Sequence, residues 1–235
     1  SGLASGYNGL GNIHLKQGSW DKALENYLIS LRIKEGLNDR RSMAGAYNNI
    51  GSIYNSLGKK EEAITYYRKA IPLNIELDNK KWLSYNYNNL GDVYLELGEI
   101  DLAMEKFDSS LTLKMELSDS IGISMSYHNI ANALELKEEY DASLELSFKA
   151  LKIQENADDI FGKTMSFLSI GRIYLIKENL NEAELYLNRS LENAHKLGAK
   201  DYLQATYHSL TTLDTLKKDY EAAFLHANLA PNLCA

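Results

Sequence analysis

Proline and cysteine are almost absent from this chain of 235 residues, which contains 2 prolines and 1 cysteine. So few prolines favour long uninterrupted helices and argue against a fold that is rich in loops or strands. The single Cys234 excludes an internal disulfide and fits a reducing compartment or a disulfide-free periplasmic protein. No run of apolar residues approaches the roughly 18 to 20 that a membrane span requires. We therefore expect a cytoplasmic protein, with a periplasmic sensor region as the alternative.

Positive charge is also scarce, since 25 Lys and Arg residues stand against 32 Asp and Glu residues, for a net charge of −7. A protein that binds nucleic acid normally shows a basic patch, so no nucleic-acid partner is predicted. The sequence opens at Ser1 and Gly2 without a methionine. This start is typical of a segment excised from a longer protein, and the lack of a signal-peptide pattern therefore decides little.

An aromatic residue recurs every 40 residues without any insertion or deletion. Its positions are Tyr7, Tyr47, Tyr87, Tyr127, Phe167 and Tyr207. A fixed period of this length indicates stacked copies of one supersecondary unit, each of which buries its apolar face against its neighbours. The predicted repeats are residues 1–38, 39–78, 79–118, 119–158, 159–198 and 199–235, the last of them degenerate, within a single array over 1–235. Function is then expected on the surface of the stack rather than in one deep pocket.

Within each period the apolar spacing is helical. In the second repeat, Tyr47, Ile50, Gly51 and Tyr54 lie at i, i+3, i+4 and i+7. A break at residues 57–59 is followed by a second apolar face, which consists of Ala63, Tyr67, Ala70 and Ile71. We predict a helix A over about residues 40–57, a tight turn, and a helix B over about residues 60–77. No segment alternates with period two, so no strands are predicted.

Small and capping residues recur at the same register. The candidate N-caps of helices A are Asp39, Asn79, Asp119 and Asp159. The candidate left-handed residues after helices A are Gly18, Gly58 and Gly98. Small residues on helix A, which would let the backbone of helix B approach, are Gly11, Gly51, Gly91, Ala131 and Gly171. Their small partners on helix B are Ala23, Ala63, Ala103, Ala183 and Ala223.

The order of aromatic, apolar, glycine and tyrosine on helix A, followed by alanine, aromatic and alanine on helix B, resembles the tetratricopeptide repeat. The 40-residue period is similar to the long-helix subclass of kinesin light chains, Pins-type scaffolds and Rap-type regulators, and to repeat regions of bacterial histidine kinases. This resemblance implies an all-α, right-handed superhelical solenoid of six helix-turn-helix repeats, with about twelve antiparallel helices. It also implies a non-catalytic scaffold that binds proteins or peptides in a concave groove.

Some residues depart from that pattern. Leu134 replaces the second aromatic of repeat four, Ser143 replaces its helix B alanine, and Thr211 and Asp214 replace the glycine and tyrosine of repeat six. Repeat six also meets Pro231 early, so a degenerate terminal repeat is expected. Pro72 falls inside helix B of repeat two and predicts a kink there. Since solenoids need capped ends, we expect further chain before repeat one, and self-association through uncapped ends.

The resemblance places the ligand on residues of helix A beside the core stripe. These are Asn8, Asn12, Asn48, Asn49, Ser52, Asn88, Asn89, Asp92, His128, Asn129, Asn132, Ser169 and Arg172. Asn49, Asn89 and Asn129 form a periodic ladder of amides, which can both donate to and accept from the backbone of an extended peptide. In related scaffolds, asparagines at this position contact the peptide main chain. The alternative is that these amides bond to one another or to the next helix.

Acidic residues Asp92, Glu96 and Glu135 are expected in the middle of the groove, with Lys16 near one end and Arg172 towards the other. Repeats that clamp a C-terminal carboxylate use lysine and arginine where this sequence has Asn and Asp. We therefore expect a protein or extended peptide with neutral or basic side chains as the partner. A solvated acidic face without a ligand is the alternative.

Catalytic patterns are weak. The histidines are dispersed and lack metalloprotease spacing, and residues 56–59 fit S-x-x-K without its partner motifs. We predict no enzyme activity, no cofactor and no metal; an enzyme built on a helical toroid is the least favoured alternative. The other alternative is a sensory or regulatory input region of a larger bacterial signalling protein, such as a histidine kinase or a transcription regulator.

Overall fold

The computed structural model describes residues 2–230, and all regular secondary structure in that range is α-helical. The helices A of the six repeats are α1 (Gly2–Lys16), α3 (Arg40–Ser56), α5 (Lys80–Glu96), α7 (Ser120–Leu136), α9 (Ile160–Ile176) and α11 (Lys200–Lys217). The helices B are α2 (Trp20–Gly36), α4 (Lys60–Glu76), α6 (Ile100–Glu116), α8 (Tyr140–Asn156), α10 (Leu180–Leu197) and α12 (Tyr220–Leu229). The predicted all-α class and the predicted helix bounds of repeat two are confirmed.

The chain divides into two compact units between Ser118 and Asp119. This division falls at the predicted boundary between repeats three and four. Within each unit, the helices A and B of one repeat pack most closely, and each helix B also packs against the helix A that follows it. That all six repeats form a single array stays a prediction.

The turn after helix A contains a residue in the left-handed conformation, whether that residue is glycine or not. Gly18, Gly58 and Gly98 have φ angles of 69°, 74° and 78°, as predicted, and Glu138 and Glu178 take the same conformation with φ of 62° and 55°. In this conformation the turn returns backbone N–H groups to the last carbonyls of the helix. The turn geometry is therefore retained in repeats that have lost the glycine.

Aspartates cap three of the helices A. Asp39 accepts a hydrogen bond from Ser42 N at 3.2 Å, Asp119 from Gly122 N at 3.0 Å, and Asp159 from Gly162 N at 2.9 Å. Residue Asn79 stands at the N-cap of α5, but its side chain makes no capping hydrogen bond. The predicted N-cap positions are therefore confirmed, and the capping bond forms where the residue is an aspartate, since an ionised carboxylate accepts such bonds more strongly than a neutral amide does.

The helix A glycines receive side chains from helix B. A Cβ added at Gly51 would lie 2.8 Å from Cε1 of Tyr67, and one added at Gly91 would lie 2.6 Å from Cε1 of Phe107. Thus it is a ring, rather than the expected helix B backbone, that occupies the space. Of the periodic aromatic markers, Phe167 is buried whereas the others up to repeat four are only half-buried. The deepest aromatic residues are therefore the ones on helix B.

Residues that depart from the repeat pattern find local partners. The hydroxyl of Ser143 is buried and donates to Ala131 O at 2.7 Å. Repeat four therefore has a hydrogen bond between its two helices where other repeats have an alanine. In repeat six, Asp214 pairs with Nδ1 of His226 at 2.7 Å. The helix α4 runs through Pro72 to its end at Glu76. The predicted roles of Pro231 and Cys234 lie outside the described residues. No helix within residues 2–230 is both long and apolar enough to cross a membrane.

Candidate functional site

Four asparagine amides form a hydrogen-bonded chain inside the first unit. Asn74 Nδ2 donates to Asn86 Oδ1 at 2.6 Å, and Asn86 Nδ2 donates to Asn48 Oδ1 at 2.9 Å. Asn89 Nδ2 donates to the same Asn48 oxygen at 3.1 Å. Asn48 is buried, so its amide ties α3 to α5 instead of facing solvent. For Asn48 and Asn89, the alternative that amides bond to the next helix is thus what the structure contains.

A second polar cluster lies around Asp92 on α5. Asn88 is buried and donates to Asp92 Oδ2 at 3.1 Å, while its own oxygen lies 3.5 Å from Nζ of the buried Lys114. Burial raises the pKa of Asp92 to about 6, and the positive charge of Lys114 opposes that rise. Asn88 therefore connects two groups of opposite charge below the surface, and Asp92 is the member of the cluster nearest solvent.

Tyrosine hydroxyls from helix B reach the predicted ligand face in repeats one and two. Tyr27 donates to Oδ1 of the exposed Asn12, and the hydroxyl of Tyr67 lies 3.1 Å from that of the half-buried Ser52. Burial raises the pKa of Tyr67 to about 12, so that hydroxyl stays protonated at neutral pH. Asn8 and Asn49 are half-buried.

In the second unit, two of the predicted residues, Asn132 and Arg172, act on His128 of α7. His128 is buried, and Asn132 Nδ2 lies 3.1 Å from its Nε2. Burial lowers the pKa of His128 to about 4, and the charge of Arg172 acts in the same direction. The ring is therefore neutral at pH 7, with Nε2 as the acceptor. Ser169 is buried, whereas Asn129 is half-buried.

Two of the three acidic groove residues are paired with cations. Arg172 donates to Glu135 Oε1 at 2.7 Å, and Lys60 pairs with Glu96. Arg172 reaches Glu135 because α9 packs directly against α7. Lys16 is exposed at the end of α1.

Each unit contains a pocket at the same place in its repeats. In the first unit a pocket of about 170 Å³ is lined by Ser52, Asn55, Ser56, Tyr67, Asn89 and Asp92. In the second unit a pocket of about 250 Å³ is lined by Arg172, Leu175, Ile176, His208, Ser209 and Thr212. Five residues that line the first pocket have a counterpart, three repeats further along the chain, that lines the second pocket. Ser52 corresponds to Arg172 in this way, and Asp92 corresponds to Thr212. The recurrence shows that successive helices A leave a depression between their C-terminal halves.

These pockets include residues outside the predicted set. They are Asn55, Ser56 and Tyr67 in the first unit, and Leu175, Ile176, His208, Ser209 and Thr212 in the second. The signal that could have found them is the repeat register itself. Positions three and four residues after Ser52 share its face of the helix, and the same register extends into repeat six. No group of three or more potential metal ligands occurs among the residues that the structure describes.

Comparison with known families identifies the repeat. A family model described as tetratricopeptide repeat matches residues 2–76, and a second model of the same description matches residues 84–114 and 166–194. The chain belongs to the tetratricopeptide repeat family. A search of curated protein sequences finds no match.

Solved structures of tetratricopeptide repeat proteins share this fold at low sequence identity. The apo form of RapI aligns with a TM-score of 0.80 at 15% identity, over 98% of this chain and 97% of that chain. A Rap protein complexed with competence and sporulation factor aligns with a TM-score of 0.75 at 14% identity, over 97% and 73%. A signal transduction ATPase with a tetratricopeptide repeat sensor from Pyrococcus horikoshii aligns with a TM-score of 0.82 at 17% identity, over 97% and 36%.

Proposed function

We propose that this chain is a non-catalytic scaffold that binds extended peptide segments on the faces of its helices A. The observation that carries the proposal is the recurrence of a pocket, at equivalent positions, in both units. A peptide in extended conformation presents a side chain at regular intervals. Pockets for side chains, combined with amides that can bond to the main chain, are the elements of such recognition.

The pocket of the first unit favours a basic side chain. Its polar lining includes Asp92, Ser52 and Asn89. A lysine or arginine of the peptide near Asp92 would offset the burial that disfavours the ionised carboxylate. Asn49 lies on the same helix as Ser52 and is half-buried, so its amide is proposed to contact the peptide main chain.

The pocket of the second unit has a different character. Leu175 and Ile176 give it apolar walls, and Arg172 and His208 stand at its edge. Arg172 already pairs with Glu135, which fixes its guanidinium and leaves part of it exposed. We propose that this pocket takes an apolar side chain, while Arg172 donates to a main-chain carbonyl of the peptide.

The test uses peptides selected from a random phage-displayed library against the purified chain. Binding of each selected peptide is then titrated with a pair of matched variants for each pocket. Ser56 lines the first pocket and Thr65 does not, yet both are exposed and both donate to the carbonyl four residues earlier. Ser56→Trp is expected to weaken binding at least about tenfold, whereas Thr65→Trp leaves it unchanged.

The second unit offers an equivalent pair. Thr212 lines the pocket and Thr215 does not, and both hydroxyls donate to the carbonyl four residues earlier. A selected peptide that tolerates both Ser56→Trp and Thr212→Trp binds somewhere else, and that result would refute the assignment.

A second candidate function is a sensory or regulatory input region of a larger signalling protein. The similarity to the ATPase with a tetratricopeptide repeat sensor favours it, because this chain corresponds to 36% of that protein. The domain order of the gene decides between the two readings. A kinase, an ATPase or a DNA-binding module next to the repeats would support the regulatory function, and repeats alone would support the scaffold.

A further inference from the structure

A pocket of about 440 Å³ lies away from both pockets described above, at the opposite ends of the helices A. It is lined by the first turns of α3 and α5 and by the last turn of α4. Asn74 lines it and is only 1% exposed, and its Oδ1 has no hydrogen-bond partner. A buried carbonyl oxygen without a donor is costly, so this atom calls for an N–H or O–H group from a ligand.

Two residues that line the pocket are smaller than their counterparts in repeats three and four. Gly45 lines it, and a Cβ added there would meet nothing within 4 Å. The residues at the position of Gly45 in the three following repeats are Tyr85, Met125 and Met165. The residues at the position of Asn74 in repeats one, three and four are Lys34, Lys114 and Gln154. Repeats three and four thus have a longer side chain than repeat two at both positions.

The equivalent place in the second unit has a pair of aromatic rings. Phe161 packs edge-on against Tyr202 with ring centroids 5.3 Å apart. The corresponding residues of the first unit are Arg41 and Trp82, which both line the pocket and are both exposed. Trp82 is 42% exposed, which is a large exposed area for an indole. At these two positions the first unit therefore has a cation and an exposed indole, which packs edge-on against Tyr85 with ring centroids 5.8 Å apart.

Both signs of charge line this pocket at fixed places. The N-terminal turns of α3 and α5 carry partial positive charge and favour anions, and Arg41 adds a full positive charge. The C-terminal turn of α4 carries partial negative charge and favours cations, and the exposed Asp78 adds a carboxylate. The unpartnered Asn74 oxygen lies on that same negative side of the pocket.

We propose that this pocket binds a small zwitterion with an aromatic side chain, the chemical class of the free aromatic amino acids. The carboxylate of the ligand is paired with Arg41 near the N-terminal turns. The ammonium donates to Asn74 Oδ1 and is balanced by Asp78. The aromatic side chain packs on the indole of Trp82 and on Leu77. This site is separate from the proposed peptide surface, so either can fail without the other.

Tryptophan fluorescence gives a direct readout, because the chain has 2 tryptophans and only Trp82 lines the pocket. In a Trp20→Phe background, titration with L-phenylalanine is expected to shift the Trp82 emission saturably, with half-saturation at about 1 mM or below. Phenethylamine lacks the carboxylate and 3-phenylpropionate lacks the ammonium. Each is expected to bind at least about tenfold more weakly. The absence of a saturable change up to about 10 mM L-phenylalanine would overturn the proposal.

Two pairs of variants locate the site. Gly45→Leu fills the pocket and is expected to abolish the titration. Gly9→Leu is the control, since Gly9 also has nothing within 4 Å and lies on α1 outside the pocket. Arg41→Gln is expected to weaken binding at least about tenfold, and Arg32→Gln, at another exposed arginine, to leave it unchanged. Unchanged binding by Arg41→Gln, or by a Gly45→Leu chain whose circular dichroism shows it to be folded, contradicts the proposal.

Discussion

The ring of Tyr67 covers Gly51, so that a Cβ added to this glycine would lie 2.8 Å from Cε1 of the ring. Glycine inside a helix costs about 1 kcal/mol relative to alanine. At this position the clash of an alanine methyl group with the Tyr67 ring is expected to cost more than that. We predict that Gly51→Ala lowers the free energy of unfolding by about 1 to 3 kcal/mol, since Tyr67 is buried and has no room to withdraw. Urea denaturation measures the effect.

The control for that substitution lies on the same helix. Gly45 has nothing within 4 Å of an added Cβ. Gly45→Ala is therefore expected to raise the free energy of unfolding by up to about 1 kcal/mol through helix propensity alone. If both substitutions had the same sign, close packing would not be the reason for the glycine at Gly51.

A second prediction concerns the turn after helix A. Gly58→Ala places a Cβ on a residue with φ of 74° and should destabilise the chain by about 1 kcal/mol. Glu138→Gly removes the same strain at φ of 62° and should stabilise the chain or leave it unchanged. Both changes are read by thermal denaturation. Stabilisation by Gly58→Ala would contradict the requirement for a left-handed residue.

A third prediction concerns the chain of amides. Asn86→Ala removes the acceptor of Asn74 and one of the two donors of Asn48, all within the buried part of the first unit. The free energy of unfolding should fall by about 1 to 3 kcal/mol, because polar groups are left buried without partners. Asn49→Ala, at a half-buried amide, should change it by less than about 0.5 kcal/mol. Equal effects would mean that the amide chain contributes nothing to stability.

The sequence predicted the fold well because the period carries most of the information. The spacing of Tyr47, Gly51 and Tyr67 predicts two helices in contact, and Gly58 predicts the turn between them, each from local physics alone. The interior polar contacts were predicted only as the alternative to peptide binding. Asn48 and Asn49 are adjacent in sequence and look alike, but the packing of α5 against α3 buries only the first of them.

The pockets were predicted only in part for a related reason. Ser52, Asn89, Asp92 and Arg172 were assigned from the position that follows the core stripe, and the structure places each of them in a pocket lining. The size and polarity of each pocket depend on what the neighbouring repeat contributes. These properties depend on how two neighbouring repeats pack together, so the sequence of a single repeat does not predict them.

A fourth prediction concerns pH. The pKa of His128 is lowered from its ordinary value of 6.5 to about 4 in the folded chain, so the folded state favours the neutral ring. This contribution to stability is complete above pH 6.5 and is lost as the pH falls towards 4. It amounts to about 3 kcal/mol on the usual conversion of pKa to free energy. His128→Asn should remove it.

The pH dependence is measured as the difference in unfolding free energy between wild type and His128→Asn. Asp92 changes stability in the opposite sense, because its raised pKa favours the folded state at low pH and this gain is lost as the pH rises through about 6. It contributes equally to both chains and cancels in the difference. A difference that does not vary between pH 7 and pH 4 would contradict burial of a neutral His128.

The central claim is that amides on the helix A faces bind the peptide. The variant replaces Asn49 and Asn129 by alanine, and Asn89 is kept because it donates to Asn48. Its control replaces Asn26, which is half-buried, and Asn188, which is exposed, on helices B of the same two units. The most direct measurement is the dissociation constant of one selected peptide for these two variants and for wild type. The account predicts a loss of at least about tenfold in affinity for Asn49→Ala with Asn129→Ala and none for the control. Equal affinity of all three chains would contradict it.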